Sequence, residues 1–141
     1  MNEKRMKEQL ILHEGIRYKA YKDTVGKVTV GVGRNLVDRG LSATEVDYLL
    51  NNDIEGCRHQ LDTELPWWRT LSEVRQRVLV DMCFNLGIHG LLGFKNTLGF
   101  IQAGAYDAAA AGMLKSKWAE QVKSRAIRLA EMMRTGIDYV V

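Results

Sequence analysis

The stretch that decides the fold is HEGIRYKAYKDTVGKVTVGVG, residues 13–33. Polar and apolar side chains alternate over Arg17–Asp23 and again over Val28–Gly33, which predicts two strands. The residues between them, Asp23–Lys27, include an aspartate and a glycine and predict a turn. Because apolar residues recur at helical spacing over residues 3–13, a short amphipathic helix is expected immediately before this β-hairpin.

Outward from the hairpin, the chain changes to helical patterns. The segment 36–41 predicts a short third strand or a loop. Ser42-Ala43-Thr44-Glu45 is a capping box that begins a long helix, and Pro66 prevents that helix from continuing beyond about Glu64. The remaining helical patterns cover Ser72–Leu86, Asn96–Ala103, Tyr106–Lys115 and Gln121–Thr135.

These elements predict an α+β fold in one domain, residues 1–141. The expected N-terminal lobe covers about 14–60 and includes the connecting helix 43–64. The helical lobe covers about 66–141 and is joined by the N-terminal helix 3–13. A cleft between two such lobes is the expected ligand site.

Composition and charge exclude several classes of protein. Hydrophobic residues make up 46% of the chain and charged residues 26%, which is typical of a globular domain. The formal charge of +3 is a mild bias towards anionic partners, but no run of Lys and Arg indicates a nucleic-acid-binding tail. No stretch approaches the roughly 18 apolar residues of a membrane span, so no membrane insertion is expected.

The few cysteines and histidines are not spaced as metal ligands. Cys57 and Cys83 each lie inside an apolar helical pattern and are expected to be reduced and buried. His13, His59 and His89 are scattered along the chain. Neither a metal site nor a cofactor is therefore expected.

Two carboxylates and a hydroxyl lie around the predicted hairpin. Glu14 ends the first helix, Asp23 opens the turn and Thr29 lies on the second strand. A pair of carboxylates is what glycoside hydrolysis needs, one as the acid and the other to activate water. From spacing alone the signal is weak, because a solvated glutamate and an aspartate that only stabilises its turn would give the same pattern.

The setting of these residues resembles the active-site segment of T-even-type bacteriophage lysozymes, glycoside hydrolase family 24. Glu-x8-Asp-x5-Thr begins with Glu-Gly, contains Tyr-Lys-Asp-Thr and ends with Thr-Val-Gly-Val-Gly. The resemblance continues in order through Asn52-Asp53, RQRVLVDMCFNLG (75–87), GFKNTL (93–98), Lys115-Ser116-Lys117-Trp118 and Arg134-Thr135-Gly136. It covers nearly the whole chain and implies a lysozyme-like fold.

The resemblance also implies a reaction. Glu14 would be the general acid, Asp23 would position or activate the attacking water, and Thr29 would help to hold that water. The expected product is inverted at the anomeric carbon, and inverting carboxylates stand about 6.5–9.5 Å apart. The acid must keep its proton near neutral pH, which requires a site screened from water.

By the same resemblance, the substrate is the glycan strand of peptidoglycan and the outcome is lysis of a host cell. The protein is expected in the host cytoplasm before lysis and at the cell wall or periplasm afterwards, reached through a holin-made hole. We expect a monomer, because no pattern indicates an exposed oligomer seam.

Other residues match the family's supporting positions. Phe84 and Thr97, together with Asn35, are the predicted substrate contacts. Arg125 falls where the family has an arginine close to the acid. Arg34 and Asp53 replace a histidine and aspartate that the family can pair, which predicts a salt bridge between them. Gly112 falls where the family can have an amide side chain.

Three other functions compete with hydrolysis. A lytic transglycosylase needs only the acid, so Asp23 and Thr29 argue against it. A non-catalytic wall-binding module would not need any of the three residues Glu14, Asp23 and Thr29. A nucleic-acid-binding domain rests only on Arg125, Arg128 and Arg134 in a C-terminal helical pattern.

Overall fold

A computed structural model describes residues 1–139, so the last two residues of the predicted lobe 66–141 lie outside the described residues. The N-terminal part begins with one helix and a small antiparallel sheet of order β1-β2-β3. Their bounds are α1 (Glu3–Glu14), β1 (Arg17–Lys22), β2 (Val28–Gly31) and β3 (Arg34–Asn35). The predicted first helix and hairpin are confirmed.

The third strand is earlier and shorter than predicted. β3 pairs with β2 through Thr29 opposite Asn35 and Val30 opposite Arg34, whereas the segment 36–41 forms turns. The tight connection at Gly31 and Gly33, both with positive φ, returns the chain to β2 immediately. Positive φ is accessible to glycine without the steric cost of a Cβ.

The long helix α2 (Ala43–Glu64) begins at the predicted capping box. The Glu45 amide donates to Ser42 Oγ at 3.2 Å, and the Ser42 amide donates to Glu45 Oε1 at 2.8 Å. These bonds satisfy two amides that a helix N-terminus leaves without partners. Pro66 then begins a short 3₁₀ helix, Pro66–Thr70.

The C-terminal part is helical throughout, with breaks at Gly87 and at Lys123. The predicted helix Ser72–Leu86 continues past a kink at Gly87 (φ 76°), and the predicted helix Gln121–Thr135 is divided at Lys123 (φ 50°). Apolar spacing continues across Lys123, so it predicts one helix where the backbone turns, whereas the helix predicted before Gly87 ends at Leu86, next to the kink. The bounds are α3 (Glu73–Leu92), α4 (Lys95–Gln102), α5 (Tyr106–Leu114), α6 (Lys117–Val122) and α7 (Ser124–Thr135).

The chain divides into two compact units, Met1–Leu49 and the residues from Leu50 onward. Among the described residues, the buried hydrophobic side chains all belong to the second unit. The sheet unit includes α1, whereas the sequence pattern and its resemblance place residues 3–13 with the helical lobe. That assignment, and the cleft expected between lobes, stay predictions.

The α+β fold class predicted from the sequence is confirmed by this arrangement of a small sheet and a helical C-terminal part. Within residues 1–139, no single helix has the length and apolar composition to cross a membrane. α3 and α4 together have that length and composition, but the two helices are bent by 107° relative to each other.

Candidate active site

Glu14 is the last residue of α1, and its carboxyl group lies against the β2–β3 connection. A Cβ atom added to Gly33 would be 2.7 Å from Glu14 Oε2 and 2.9 Å from Glu14 Cδ. Any residue larger than glycine at position 33 would therefore displace the carboxyl group of Glu14. α1 stops here because Gly15 has φ 74°, and its amide closes the last turn on Ile11 O. Glu14 itself is exposed, so the expected screening of this carboxyl group from water is not observed.

Asp23 closes the β1–β2 turn through one of its two carboxylate oxygens. Oδ1 accepts from the amides of Val25, at 3.0 Å, and Lys27, at 2.8 Å. The Asp23 amide donates in turn to Lys27 O at 2.9 Å. Within residues 1–139, Oδ2 makes no hydrogen bond, so the anchored carboxylate has one oxygen available to a water molecule.

Thr29 is the buried polar residue of the sheet, with only 3% of its surface exposed. Its hydroxyl donates to Lys27 O at 2.9 Å, so the backbone of Lys27 bonds to both Thr29 and Asp23. Because its hydrogen is committed to that carbonyl, the hydroxyl oxygen can only accept a further hydrogen bond. The hairpin therefore fixes Asp23 and Thr29 relative to each other.

Asn35 faces Thr29 across the β2–β3 ladder, but its amide group is occupied locally. Oδ1 accepts from the amides of Val37 and Asp38 at 3.0 Å each, and Nδ2 donates to Asp38 Oδ2 at 3.0 Å. These bonds stabilise the turn that follows β3. Its predicted contact with substrate stays a prediction.

The predicted salt bridge between Arg34 and Asp53 is wrong, because Arg34 pairs with Glu45 instead. Nη1 and Nη2 meet Oε1 and Oε2 at 2.8 and 2.6 Å, and Nη1 also donates to Gly40 O at 3.1 Å. Glu45 lies in the first turn of α2, where the capping box directs its carboxylate towards the chain that enters the helix. A fork-to-fork pair of this kind fixes orientation as well as distance.

In the helical unit, Phe84 and Arg125 line one cavity of about 970 Å³. Arg125 donates to Asp81 Oδ1 from Nε at 2.9 Å and from Nη2 at 2.6 Å. Phe84 is 45% exposed on the same helix as Asp81. The proximity of Arg125 to Glu14 and the contact of Phe84 with substrate stay predictions.

Thr97 and Gly112 form a close contact between α4 and α5. Thr97 is 5% exposed, and a Cβ added to Gly112 would be 2.6 Å from Thr97 Oγ1. The glycine that replaces the family's amide side chain therefore makes room for this hydroxyl. The role of Thr97 as a substrate contact stays a prediction.

The tryptophans and cysteines of the helical unit are mainly structural. Trp68 and Trp118 are 2% and 4% exposed, and their indole N–H groups donate to Asp62 at 2.7 Å and Asn85 at 2.8 Å. Both cysteines are buried and free, as predicted. Burial, followed by the hydrogen bond with Cys57, raises the pKa of the Cys83 thiol to about 12.

Comparison with known proteins bears directly on this hairpin. The family model for phage lysozyme matches residues 12–131, which include Glu14, Asp23 and Thr29. The chain belongs to the phage lysozyme family. Phage lysozymes are enzymes, and this one is accordingly a lysozyme-like hydrolase of the cell wall.

Similarity to curated relatives is low in identity but extends along the chain. Probable T4-type lysozymes 1 and 2 of Dictyostelium discoideum are 24% and 22% identical over 160 residues, covering 93% of this chain and 94% of each relative. The pre-baseplate central spike protein Gp5 of Enterobacteria phage T4 is 25% identical over 159 residues. That alignment also covers 93% of this chain, but the chain spans only 28% of the spike protein.

The structure adds three residues that the sequence patterns do not single out as partners. Gly33 contacts the carboxyl group of Glu14, Glu45 is the partner of Arg34, and Asp81 is the partner of Arg125. In the sequence, Gly33 is visible only as part of a Gly-x-Gly pattern and Glu45 only as part of the capping box. Across residues 1–139 there is no group of three or more His, Cys, Asp or Glu side chains that would hold a metal ion.

Proposed function

We propose that this lysozyme hydrolyses the β-1,4 bond between N-acetylmuramic acid and N-acetylglucosamine of peptidoglycan, with inversion. The observation that carries the proposal is the hairpin itself. It fixes Asp23 and Thr29 through the backbone of Lys27, and its β2–β3 connection receives the carboxyl group of Glu14.

The reaction needs one proton delivered and one removed. Glu14, protonated, gives its proton to the oxygen of the leaving sugar while the glycosidic bond breaks. A water attacks the opposite face of the anomeric carbon and gives one proton to Asp23 Oδ2, which is the unbonded oxygen. Thr29 Oγ1 accepts a hydrogen bond from the water's other hydrogen, which stays on the new hydroxyl of the product. The attack from the opposite face inverts the anomeric configuration.

Mass spectrometry of fragments released from purified peptidoglycan in oxygen-18 water tests this reaction. Reducing-end sugars that contain oxygen-18, and their absence with Glu14→Gln, are the expected result. Early-time NMR of the products should show the α-anomer. A β-anomer would contradict inversion.

Asp23→Asn provides a matched test of the second carboxylate. The amide oxygen of asparagine can still accept from Val25 and Lys27, so the turn is retained while the proton acceptor is lost. We expect hydrolysis to fall by at least about 100-fold, since general base catalysis contributes about 10²–10⁴-fold. Full activity in this variant would remove Asp23 from the mechanism.

The alternatives predict different products. Anhydro sugars, lighter by one water, would identify a lytic transglycosylase. Binding to peptidoglycan without any released fragments would identify a wall-binding module. Asp23 Oδ2 and Thr29 Oγ1 favour hydrolysis, because a transglycosylase does not use water.

We further propose that the enzyme lyses a host cell, that it accumulates in the host cytoplasm, and that it reaches the wall through a holin-made hole as a monomer. Membership of the phage lysozyme family supports this proposal. Expression alone should leave bacteria intact, and co-expression with a holin should lyse them. Lysis without a holin would contradict the proposed route.

A further inference from the structure

β1 carries an exposed group of cations that pair with no carboxylate of the described residues. Arg17, Lys19 and Lys22 lie on this strand, and no acidic residue lies between them. Among residues 1–139, none of the three forms an ion pair. We refer to Arg17, Lys19 and Lys22 as the β1 cations.

Arg17 differs in this respect from most arginines of the described residues. Arginines outside β1 are mostly paired with carboxylates at 2.5–3.4 Å, and these include Arg34, Arg58, Arg69, Arg77, Arg125 and Arg134. Lys27, just beyond the strand, also meets Asp38 at 3.4 Å. The ion pairs of the described residues therefore neutralise most arginines and Lys27, whereas the positive charges along β1, like those of the other lysines, are left unpaired.

Aromatic side chains accompany these cations. The Arg17 guanidinium lies 4.9 Å from the centroid of the Tyr21 ring, which orients a group that would otherwise rotate freely. Tyr18 is 91% exposed. At about 3.3 Å per residue, the cations span about 17 Å of extended chain. The strand thus presents positive charge along its length, and Arg17 is oriented by its contact with Tyr21.

The position of β1 connects this charge to the reaction. The strand begins three residues after Glu14 and ends at Lys22, immediately before Asp23, and Tyr21 lies opposite Thr29 in the sheet. A glycan strand held by Glu14 and Asp23 would therefore have β1 beside it. Peptidoglycan differs from an uncharged glycan in its short stem peptides, which carry free carboxylates.

We propose that the β1 cations bind the stem-peptide carboxylates of peptidoglycan and thereby favour it over uncharged glycans. The proposal rests on the proposed function, because it assigns the charged part of the same substrate. Exposed pairs are individually weak, so the three cations act together and their effect falls as salt rises.

The decisive comparison uses two forms of one substrate. Carbodiimide and ammonia convert the carboxylates of purified peptidoglycan to amides and leave its glycosidic bonds intact. On native peptidoglycan, the triple variant R17Q/K19Q/K22Q should show a KM about tenfold higher than the wild type, with kcat unchanged. On amidated peptidoglycan the two proteins should have equal KM values.

A matched variant controls for net charge. K95Q/K115Q/K117Q also removes three exposed lysine charges, here from the helical unit, and should keep the wild-type KM on both substrates. In an R17Q/K22Q background, Lys19→Arg should leave KM no higher than it is with Lys19, because arginine keeps the positive charge. An equal rise of KM in both triple variants would show a general effect of net charge and overturn the proposal.

Binding to peptidoglycan can be measured separately from hydrolysis. Each triple variant is combined with Glu14→Gln, and sedimentation with native and amidated peptidoglycan is measured against salt. Weaker binding of the β1 variant to the native form alone supports the proposal. Unchanged binding, or equal weakening on both forms, overturns it, whereas absence of turnover in the wild type refutes only the proposed function.

Discussion

At the scale of single residues, the contact between Glu14 and Gly33 connects backbone conformation to chemistry. Gly33 has φ 64°, so it already favours a residue without a Cβ. The space above it is occupied by the carboxyl group that we assign as the acid. The same glycine therefore serves the turn and the position of Glu14.

Gly33→Ala should strongly reduce activity and only slightly reduce stability. Its Cβ would meet Glu14 Oε2 at 2.7 Å, and the end of this flexible side chain can move away without disturbing the fold. A displacement of about 1 Å at a reacting group can cost about 100-fold in rate. We expect a loss of about that size in kcat/KM on peptidoglycan.

Gly31→Ala is the control for backbone strain. Gly31 has φ 69°, but a Cβ there would have no neighbour within 4 Å. Both variants should lose about 1 kcal/mol of folding free energy. If Gly31→Ala lost as much activity as Gly33→Ala, strain would explain the effect and the contact with Glu14 would not.

The candidate site could be predicted only in part at this scale. The residue types and order of Glu14, Asp23 and Thr29 indicate glycoside hydrolysis only together with the ordered family motifs around them. The bonds from Asp23 to Val25 and Lys27 are also local, so a turn aspartate could be expected. The contact of Glu14 with Gly33 could not, because it depends on how α1 meets the β2–β3 connection.

At the scale of elements, the pair formed by Arg34 and Glu45 joins the last strand of the sheet to the first turn of α2. The bond to Arg34 is the main cause that lowers the pKa of Glu45 to about 2 from an ordinary value of 4.5, and Ser42 adds to the effect. A carboxyl group with a lowered pKa stabilises the fold only while it is ionised.

Glu45→Gln should reveal this pair through its dependence on pH. Glutamine can still complete the capping box, so the substitution removes charge with little loss of capping. The wild type should melt at a higher temperature than the variant above about pH 5. This difference should diminish as pH falls from about 4.5 to about 2, because Glu45 then becomes protonated.

Asp53→Asn tests the partner that the sequence favoured. Since Arg34 bonds to Glu45, the asparagine variant should not show the acid-dependent loss expected of Glu45→Gln. Melting curves of both variants from pH 2 to pH 7 provide the comparison. An acid-dependent difference confined to Asp53→Asn would contradict the assigned pair.

Arg75 lies on α3 and stabilises the C-terminal end of α7. Its Nε donates to Met133 O at 2.8 Å and its Nη2 to Arg134 O at 3.1 Å, while Cζ lies 3.5 Å from the centroid of the Tyr106 ring. The last carbonyl groups of a helix have no amide donor from a following turn. A positively charged side chain that donates to them is therefore favourable.

Arg75→Lys should therefore lower the free energy of unfolding by about 1–3 kcal/mol. Lysine keeps the charge but cannot reach two carbonyls while stacking on a ring. Urea denaturation measures the change. Arg58→Lys, at an exposed pair with Glu55, should leave the midpoint nearly unchanged; an equal loss there would contradict the special role of Arg75.

At the scale of the whole molecule, apolar burial is unevenly distributed. The buried hydrophobic core of the described residues begins at Cys57 and extends through the helices to Met133. In the sheet unit, the buried side chain is that of Thr29, which is polar. Hydrophobic stabilisation, which is roughly proportional to apolar area removed from water, therefore comes mainly from the helical unit.

Leu79→Ala should destabilise the protein by about 2–5 kcal/mol. Leu79 is fully buried in α3, so the substitution removes apolar contacts and leaves a cavity. Ile127→Ala provides the comparison, because Ile127 is 63% exposed and should change stability by no more than about 0.5 kcal/mol. Similar urea midpoints for the two variants would contradict this distribution of the core.

The sequence by itself determined the α+β class, the hairpin, the capping box of α2 and the ordered motifs of a phage lysozyme. These features depend on neighbours a few residues apart, so they are visible as spacing and residue type. Tertiary structure alone decided the partner of Arg34, the break at Lys123 within continuous apolar spacing, and the contact of Glu14 with Gly33. Each of these depends on which distant groups meet in space, and an arginine or a carboxylate can satisfy several partners equally well until packing selects one.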